Sequence, residues 1–345
     1  VTQIDKLLAL VQAPVEIKPH LHFFYRKEEI ELILSLERRK LPVDEIASCM
    51  QIPLDEAADL LESSYRRFVI DKEIEEGRVL YGAGNFYDRH GYCAMFENYH
   101  LLPRKLRRFL HEWCYSEYLK RHDYFKRVLN GEPAYDHCHN DVVLLLEELE
   151  EMIEAAPVIR LLPCDCKMIA DKCGHSREVC LWFSPAMIAE RTRGGELGRE
   201  LTRDAALELA RSWDREGLIH TGGPFDWREK GPGVVCNCCD CCCFPLRAAQ
   251  ELGTRGKWPY SRYVARRDPA LCRHCGLCTR RCQFKAFTME KAAVSTGSRE
   301  KRKVLFKPEL CWGCGLCAQT CPEKAITMVP IPDRVDQKRW KNGAC

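Results

Sequence analysis

The 345-residue sequence is poor in the features that mark most membrane proteins and cofactor-binding enzymes. Its longest uncharged apolar run that reads as buried, Val142 to Leu146, falls far short of the about 20 residues that a bilayer-spanning helix needs. No basic-then-apolar leader opens it, which makes a cytoplasmic location the expectation. No glycine-rich dinucleotide fingerprint is present, because Gly82-Ala83-Gly84 lacks the third glycine and the strand–helix setting. No nucleophile-and-base pair and no flavin or nicotinamide signature stands out. The formal net charge is only +3, and 46% hydrophobic with 30% charged residues excludes disorder, collagen and coiled coil. The length fits two or three domains with ordinary cores.

What the sequence has in excess is cysteine: 23 residues, 18 of them between Cys164 and Cys321. Only Cys49, Cys93, Cys114, Cys138 and Cys345 fall outside that stretch. A disulfide framework calls for an oxidising compartment and usually a small domain without a core. Here the cysteines crowd at two- and three-residue spacings, which seldom satisfy disulfide geometry. Metal-bound thiolates in a reducing cytoplasm are the better account.

Along the chain, residues 1–27 read as an arm in which Val1 to Gln12 forms a short helix before Pro14 and Pro19. Residues 28–100 carry three short helices: one with Ile30, Ile33, Leu34 and Leu36, one over Val43 to Met50 capped by Asp44, and one from Leu54. A hairpin over Gly77 to Tyr87, with a Gly/Asn turn, follows them. Three helices and a ribbon resemble a winged helix. Residues 101–157 read as a helical region that ends in an acidic amphipathic helix, Asp141 to Ala155. Residues 158–262 form a Cys-rich α/β domain. There Val158 to Leu162, Leu218 to His220 and Val234-Val235 are strands, and Thr202 caps a helix that Gly217 ends. Residues 263–330 and a basic tail, 331–345, complete an α+β multidomain reading.

The sharpest motif is a duplicated run. Cys272-x2-Cys275-x2-Cys278-x3-Cys282 is matched by Cys311-x2-Cys314-x2-Cys317-x3-Cys321-Pro322. The following residues repeat as well, Gln-Phe-Lys-Ala-Phe-Thr-Met against Pro-Glu-Lys-Ala-Ile-Thr-Met. Residues 263–330 resemble the bacterial two-[4Fe-4S] ferredoxin domain. The resemblance implies that Cys272, Cys275, Cys278 and Cys321 hold one cubane, and that Cys311, Cys314, Cys317 and Cys282 hold the other. Gln283 departs from the pattern, since the family usually has Pro there. The residues between the runs, including Lys291 to Lys303, read as a hairpin insertion. Zinc is the rival for CxxC pairs, but two CxxCxxCxxxC runs favour iron–sulfur.

Ten further thiols lie upstream: Cys164, Cys166, Cys173 and Cys180, then Cys236, Cys238, Cys239, Cys241, Cys242 and Cys243. In an extended run, adjacent side chains point to opposite sides, so the last six are expected to be shared between two clusters or to hold one of higher nuclearity. Cys164, Cys166, Cys173 and Cys180 make a possible four-ligand set. One or two additional iron–sulfur clusters are the leading reading, with zinc and a redox-active dithiol as rivals. The pattern loosely resembles Cys-rich iron–sulfur proteins of anaerobes. Two other groups read more plainly. His137-Cys138-His139 fits a solvated turn, and Arg104, Lys105, Arg107 and Arg108 with Phe109 and Trp113 fit a solvated helix face.

Charge weighs against nucleic acid. Residues 1–130 hold 20 Lys+Arg and 21 Asp+Glu, and the helix that would read DNA carries Asp55, Glu56, Asp59 and Glu62. A phosphate backbone repels such a face, and the basic Arg66 and Arg67 sit at its far end. Residues 266–345 hold 17 Lys+Arg and 7 Asp+Glu, an excess that two oxidised clusters offset by only roughly 4 negative charges. Such a module suits an acidic redox partner, although residues 131–265, with 16 Lys+Arg and 22 Asp+Glu, offer an acidic neighbour within the chain. The expected function is single-electron transfer, as a subunit or partner of an anaerobic cytoplasmic oxidoreductase rather than a stand-alone enzyme. The alternatives are an iron–sulfur transcriptional regulator that uses the winged helix, and a reductase whose active site is the central cluster.

Overall fold

The computed structural model describes residues 2–132, 142–291 and 302–332. His137-Cys138-His139, Cys345, the tail from 333 and the stretch 292–301 lie outside them. Two compact units emerge: Val1–Tyr118 with Asp165–Asp171 and Ala189–Leu197, and Leu119–Cys164 with Lys172–Ile188 and Gly198–Cys345. They cut across the expected divisions. Residues 165–171 and 189–197 group with the N-terminal residues, and the ferredoxin-like module groups with the central sheet. No described helix is long and apolar enough to cross a membrane.

In the first unit, Thr2 and Asp5 form a capping box that starts the helix Gln3–Leu10. Leu7, Val11, Ile17 and Phe24 are wholly buried, so residues 1–27 are part of the core and not an arm. Helices Lys27–Leu36, Val43–Met50 and Leu54–Arg66 follow, and they bury Leu32, Ile33, Leu36, Ile46 and Leu61. Pro42 is the N-cap of the second, and Asp44 lies in its first turn, where the helix dipole favours a carboxylate. The ribbon pairs β1 (Ile70–Glu75) with β2 (Arg78–Ala83) antiparallel. It turns at Glu76 and Gly77, whose φ values of 48° and 79° give the turn that suits the twist of a hairpin.

The expected ribbon therefore lies several residues too late. Only Ile70 of β1 is buried, so the charged run Ile-Asp-Lys-Glu-Ile-Glu does not announce a strand. Asn85, expected in the turn, instead caps helix Phe86–Phe96, accepting from the Asp88 amide at 3.0 Å. Arg67 is drawn inward to pair with Glu29 and, at 2.9 Å, with Glu97. Arg89, fully buried, pairs with the same Glu97 and donates to the Phe24 carbonyl at 2.6 Å.

In the second unit a six-stranded sheet has the order β3-β7-β8-β5-β4-β6. Its strands are β3 (Val142–Val143), β4 (Arg160–Pro163), β5 (Glu178–Trp182), β6 (Arg199–Glu200), β7 (Ile219–Gly223) and β8 (Val234–Cys238). Every one of its pairings is antiparallel, which corrects the expected α/β character of this region. The neighbours β4–β5 and β7–β8 follow one another along the chain with no long helical crossover of the kind a parallel pair requires. The acidic helix begins at Leu146, because Val142-Val143 is already a strand. Thr202 caps Arg203–Glu216 by accepting from the Ala205 amide, and Gly217 ends it at φ 96°, as expected.

The module that follows is a doubled unit: β9 (Tyr263–Arg267), helix Leu277–Arg281 and β10 (Phe287–Lys291), then β11 (Arg302–Phe306), helix Leu316–Thr320 and β12 (Ile326–Pro330). The outer strands β9 and β12 pair antiparallel, as do the inner β10 and β11. Ala265, Phe287, Val304 and Ile326 form the shared core with Cys278 and Cys317. A buried ion pair at 2.6 Å, Arg262 to Glu148, ties the start of this module to helix Leu146–Ala155.

Candidate metal centres

The duplication in sequence is a duplication in backbone. Gly276 and Gly315 occupy equivalent left-handed positions, φ 78° and 80°, at the starts of the two short helices. His274 and Gly313 repeat the sign two residues earlier, as Lys285 and Lys324 do nine residues later. Each last cysteine of a run accepts a backbone hydrogen bond at 3.3 Å, Cys282 from Ala286 and Cys321 from Ala325. Gly313 also donates to Cys311 Sγ at 3.4 Å. Such N–H···S contacts are among the means by which a protein tunes a cluster's potential.

Two pockets take the eight thiols four by four. One is lined by Cys282 together with Cys311, Cys314 and Cys317, and by Phe284 and Trp312, stacked at 4.3 Å. The other is lined by Cys321 together with Cys272, Cys275 and Cys278. The last cysteine of each run thus joins the other run's triplet. Burial pushes the Cys278 thiol up to about 11 and the Cys314 thiol up to about 12. Without a metal these thiols stay protonated at neutral pH, and a bound iron draws off the proton. Soft thiolates in apolar, cross-supplied pockets suit a cubane, whose four irons each take one cysteine.

The central thiols divide differently from the expected Cys164–Cys166–Cys173–Cys180 set. Cys173 joins Cys239, Cys241 and Cys242, whose Sγ atoms all lie within 4.8 Å of one another. Cys180 faces its cross-strand partner Cys236, Sγ to Sγ 3.9 Å. Cys238 lies on the same face of β8 as Cys236 and meets Cys243 at 3.3 Å. Cys164 follows β4, and Cys166 lies in the short helix Asp165–Ala170. Strand alternation governs Cys236 and Cys238, but residues 240–242 form a turn, which lets the adjacent Cys241 and Cys242 converge at 3.7 Å. The premise of an extended run fails there. Thiol–thiol contact and burial raise Cys236 and Cys242, and burial first, with Cys239 beside it, pushes Cys241 up to about 12.

Trp182 and Thr221, which the sequence did not single out, and Gln283 complete the region. The Trp182 indole donates to Cys180 Sγ at 3.0 Å, and the Thr221 hydroxyl lies 3.6 Å from Cys238 Sγ. Trp182 is two residues from Cys180, so recognising β5 as a strand would have put both on one face. Gln283, noted only as a departure from Pro, accepts from the Asp240 amide at 2.8 Å and donates to the Gly217 carbonyl. It joins the loop after Cys282 to the turn that carries Cys239, Cys241 and Cys242. Of the basic group on helix Arg104–Arg121, Arg107 pairs with Asp171, and Trp113 packs on Phe86.

Residues 271–325 match the family model of the 4Fe-4S dicluster domain. No curated protein and no solved structure matches the chain. The chain therefore contains an iron–sulfur dicluster domain beside a Cys-rich region with potential metal ligands, a combination that points to iron–sulfur electron transfer.

Proposed function

We propose that this protein is a relay subunit, or dedicated partner, of a cytoplasmic redox enzyme in an oxygen-poor cell, and that it passes single electrons from an outside donor through two cubanes toward the central sheet. In this reading Cys272, Cys275, Cys278 and Cys321 hold the outer cluster, and Cys282, Cys311, Cys314 and Cys317 the inner one. Cys275 is exposed in a module with an excess of Lys and Arg, which suits exchange with an acidic partner. The observation that carries the proposal is the contact of the inner cluster's loop with the central cysteines. Gln283 follows Cys282 and holds the Asp240 amide, and Ile219, which lines the inner cavity, is the cross-strand partner of Cys238. The close thiol pairs Cys180–Cys236 and Cys238–Cys243 then lie next on the path, with the Trp182 indole donating to Cys180 and the Thr221 hydroxyl beside Cys238.

The N-terminal unit, read as winged-helix-like, docks protein in this proposal. Asp55, Glu56 and Asp59 are exposed, Glu62 pairs with Arg66 and Lys72, and Arg67 is consumed internally. Little remains to neutralise phosphates.

The test is rapid-mixing reduction of the anaerobic full-length protein by a reduced acidic ferredoxin, with iron, sulfide and EPR measured on the same sample. About eight irons in the module, a reduction rate that falls as salt rises, and slower electron arrival beyond the inner cluster in Gln283→Leu are expected. An iron content far below that value, or a rate indifferent to both changes, overturns the relay. Tight, salt-dependent binding of duplex DNA would favour a regulator instead.

A further inference from the structure

The two cysteine regions hold their sulfurs at different spacings, and the spacing is set by what they bind. A cubane spreads its four thiolates because each caps a different corner iron. Among the described residues, no three of the eight module cysteines bring their Sγ atoms within 4.8 Å of one another. Four thiolates on one tetrahedral ion crowd much closer, about 3.8 Å apart for a metal–sulfur bond of about 2.3 Å. Cys173, Cys239, Cys241 and Cys242 meet that condition, with all four Sγ atoms within 4.8 Å and the adjacent pair at 3.7 Å.

We propose that Cys173, Cys239, Cys241 and Cys242 form a closed tetrathiolate site for a single zinc ion, distinct from every iron–sulfur cluster of the chain. Zinc has no ligand-field preference and settles readily into an all-cysteine tetrahedron, where it does no redox chemistry. The ion joins two parts of the chain that are far apart in sequence. Lys172, Cys173 and Gly174 have no regular secondary structure, so a metal bond supplies the fixing that a backbone ladder does not. On the other side the ion locks the 240–242 turn, whose Asp240 amide Gln283 holds. A redox-active Cys241–Cys242 dithiol would leave two further thiols gathered on the same point without a role. This assignment rests on the relay reading only in naming the site as a support beside the electron path.

The test is zinc and iron analysis with zinc-edge X-ray absorption on the intact, anaerobically purified protein. One zinc per chain with four sulfur neighbours at about 2.3 Å is expected. Cys241→Ser and, separately, Cys173→Ser should lose most of the zinc, more than fivefold, while the iron content and the dithionite-reduced EPR signal stay at the wild-type level. Absence of zinc from the wild-type protein, mixed nitrogen or oxygen ligation, or a single iron in its place overturns the assignment. A loss of about four irons in Cys241→Ser, with zinc absent or unchanged, overturns it in favour of a cluster. The wild-type absorption spectrum decides the question even if both variants misfold. Failure of the relay would show instead in the iron content and reduction rates, with the zinc signal intact.

Discussion

The carboxy-terminal module and the central sheet use the same side chain in opposite ways. In the module, short helices and left-handed residues deliver eight thiols to two cavities, each completed by the distant half of the repeat. In the centre, strand pairing and a turn gather eight thiols, one group of four and two close pairs, in which sulfur touches sulfur. The module's spacing suits a cluster several atoms wide, whereas one of the central sets is narrow enough for one ion. Counting cysteines therefore says that metal is bound, and only the distances between sulfurs say what kind.

The largest effect that can break this comparison concerns the crossed supply of the module. Cys321→Ala should remove the same cluster as Cys275→Ala, about four of about eight module irons, although the two residues belong to different runs. Cys282→Ala should remove the other cluster and leave that one's EPR signal. If Cys321→Ala and Cys314→Ala instead extinguish one and the same signal, the crossing is wrong.

A smaller effect tests the backbone that holds the thiols apart. Gly313 has φ 69°, and a methyl group there would collide with the Tyr263 carbonyl oxygen, which is backbone and cannot swing aside. Gly276 has φ 78°, but its methyl would press on the flexible Met289 Cε end, at 2.6 Å, and otherwise meet Thr279 Oγ1 at an ordinary 3.6 Å. Both Ala variants carry a left-handed penalty of roughly 1–2 kcal/mol. Gly313→Ala should add backbone strain to reach roughly 3 kcal/mol or more, with faster iron loss in a chelator chase. Equal iron half-lives for the two variants would show that the loops are softer than their geometry implies.

Legibility in the sequence follows the same divide. The module was readable because its ligands come from local, repeated spacings, and a duplicated loop repeats its φ signs along with its residues. The central grouping was not. Cys180 finds Cys236 through strand pairing and Cys173 finds the turn through tertiary folding, and neither relation leaves a trace in linear spacing. The turn at 240–242 was hidden as well, since a run of cysteines between Val235 and Phe244 reads as a continued strand. In the first unit the three helices were legible from apolar periodicity, whereas β1 was missed because only one of its six residues, Ile70, is buried. The role of Gln283 was half visible, as a departure from Pro, but its partners Asp240 and Gly217 lie far off in sequence.

Acid sharpens the comparison last, and by the smallest amount, because it acts on the cysteine clusters and on the aromatic core of the first unit by separate routes. Thiolate sites release metal as protons compete for sulfur. In the first unit, His90 is fully buried among Phe24, Phe86, Tyr99 and Trp113, and neither ring nitrogen has a hydrogen-bond partner among the described residues. Burial, with Arg89 and His111 nearby, pushes its pKa down to about 3 from an ordinary 6.5. The folded unit therefore keeps His90 neutral while the unfolded chain takes up a proton below pH 6.5. The stability that depends on a neutral ring is complete above that pH and is lost steadily as pH falls toward 3. Between pH 6.5 and 5 the loss is about 2 kcal/mol. His90→Phe, which keeps the aromatic packing but cannot titrate, should flatten the acid limb of the first unit's unfolding transition by a few degrees while acid release of iron proceeds as in wild type. An unchanged pH slope in that variant would place the acid sensitivity of the whole chain in its thiolates.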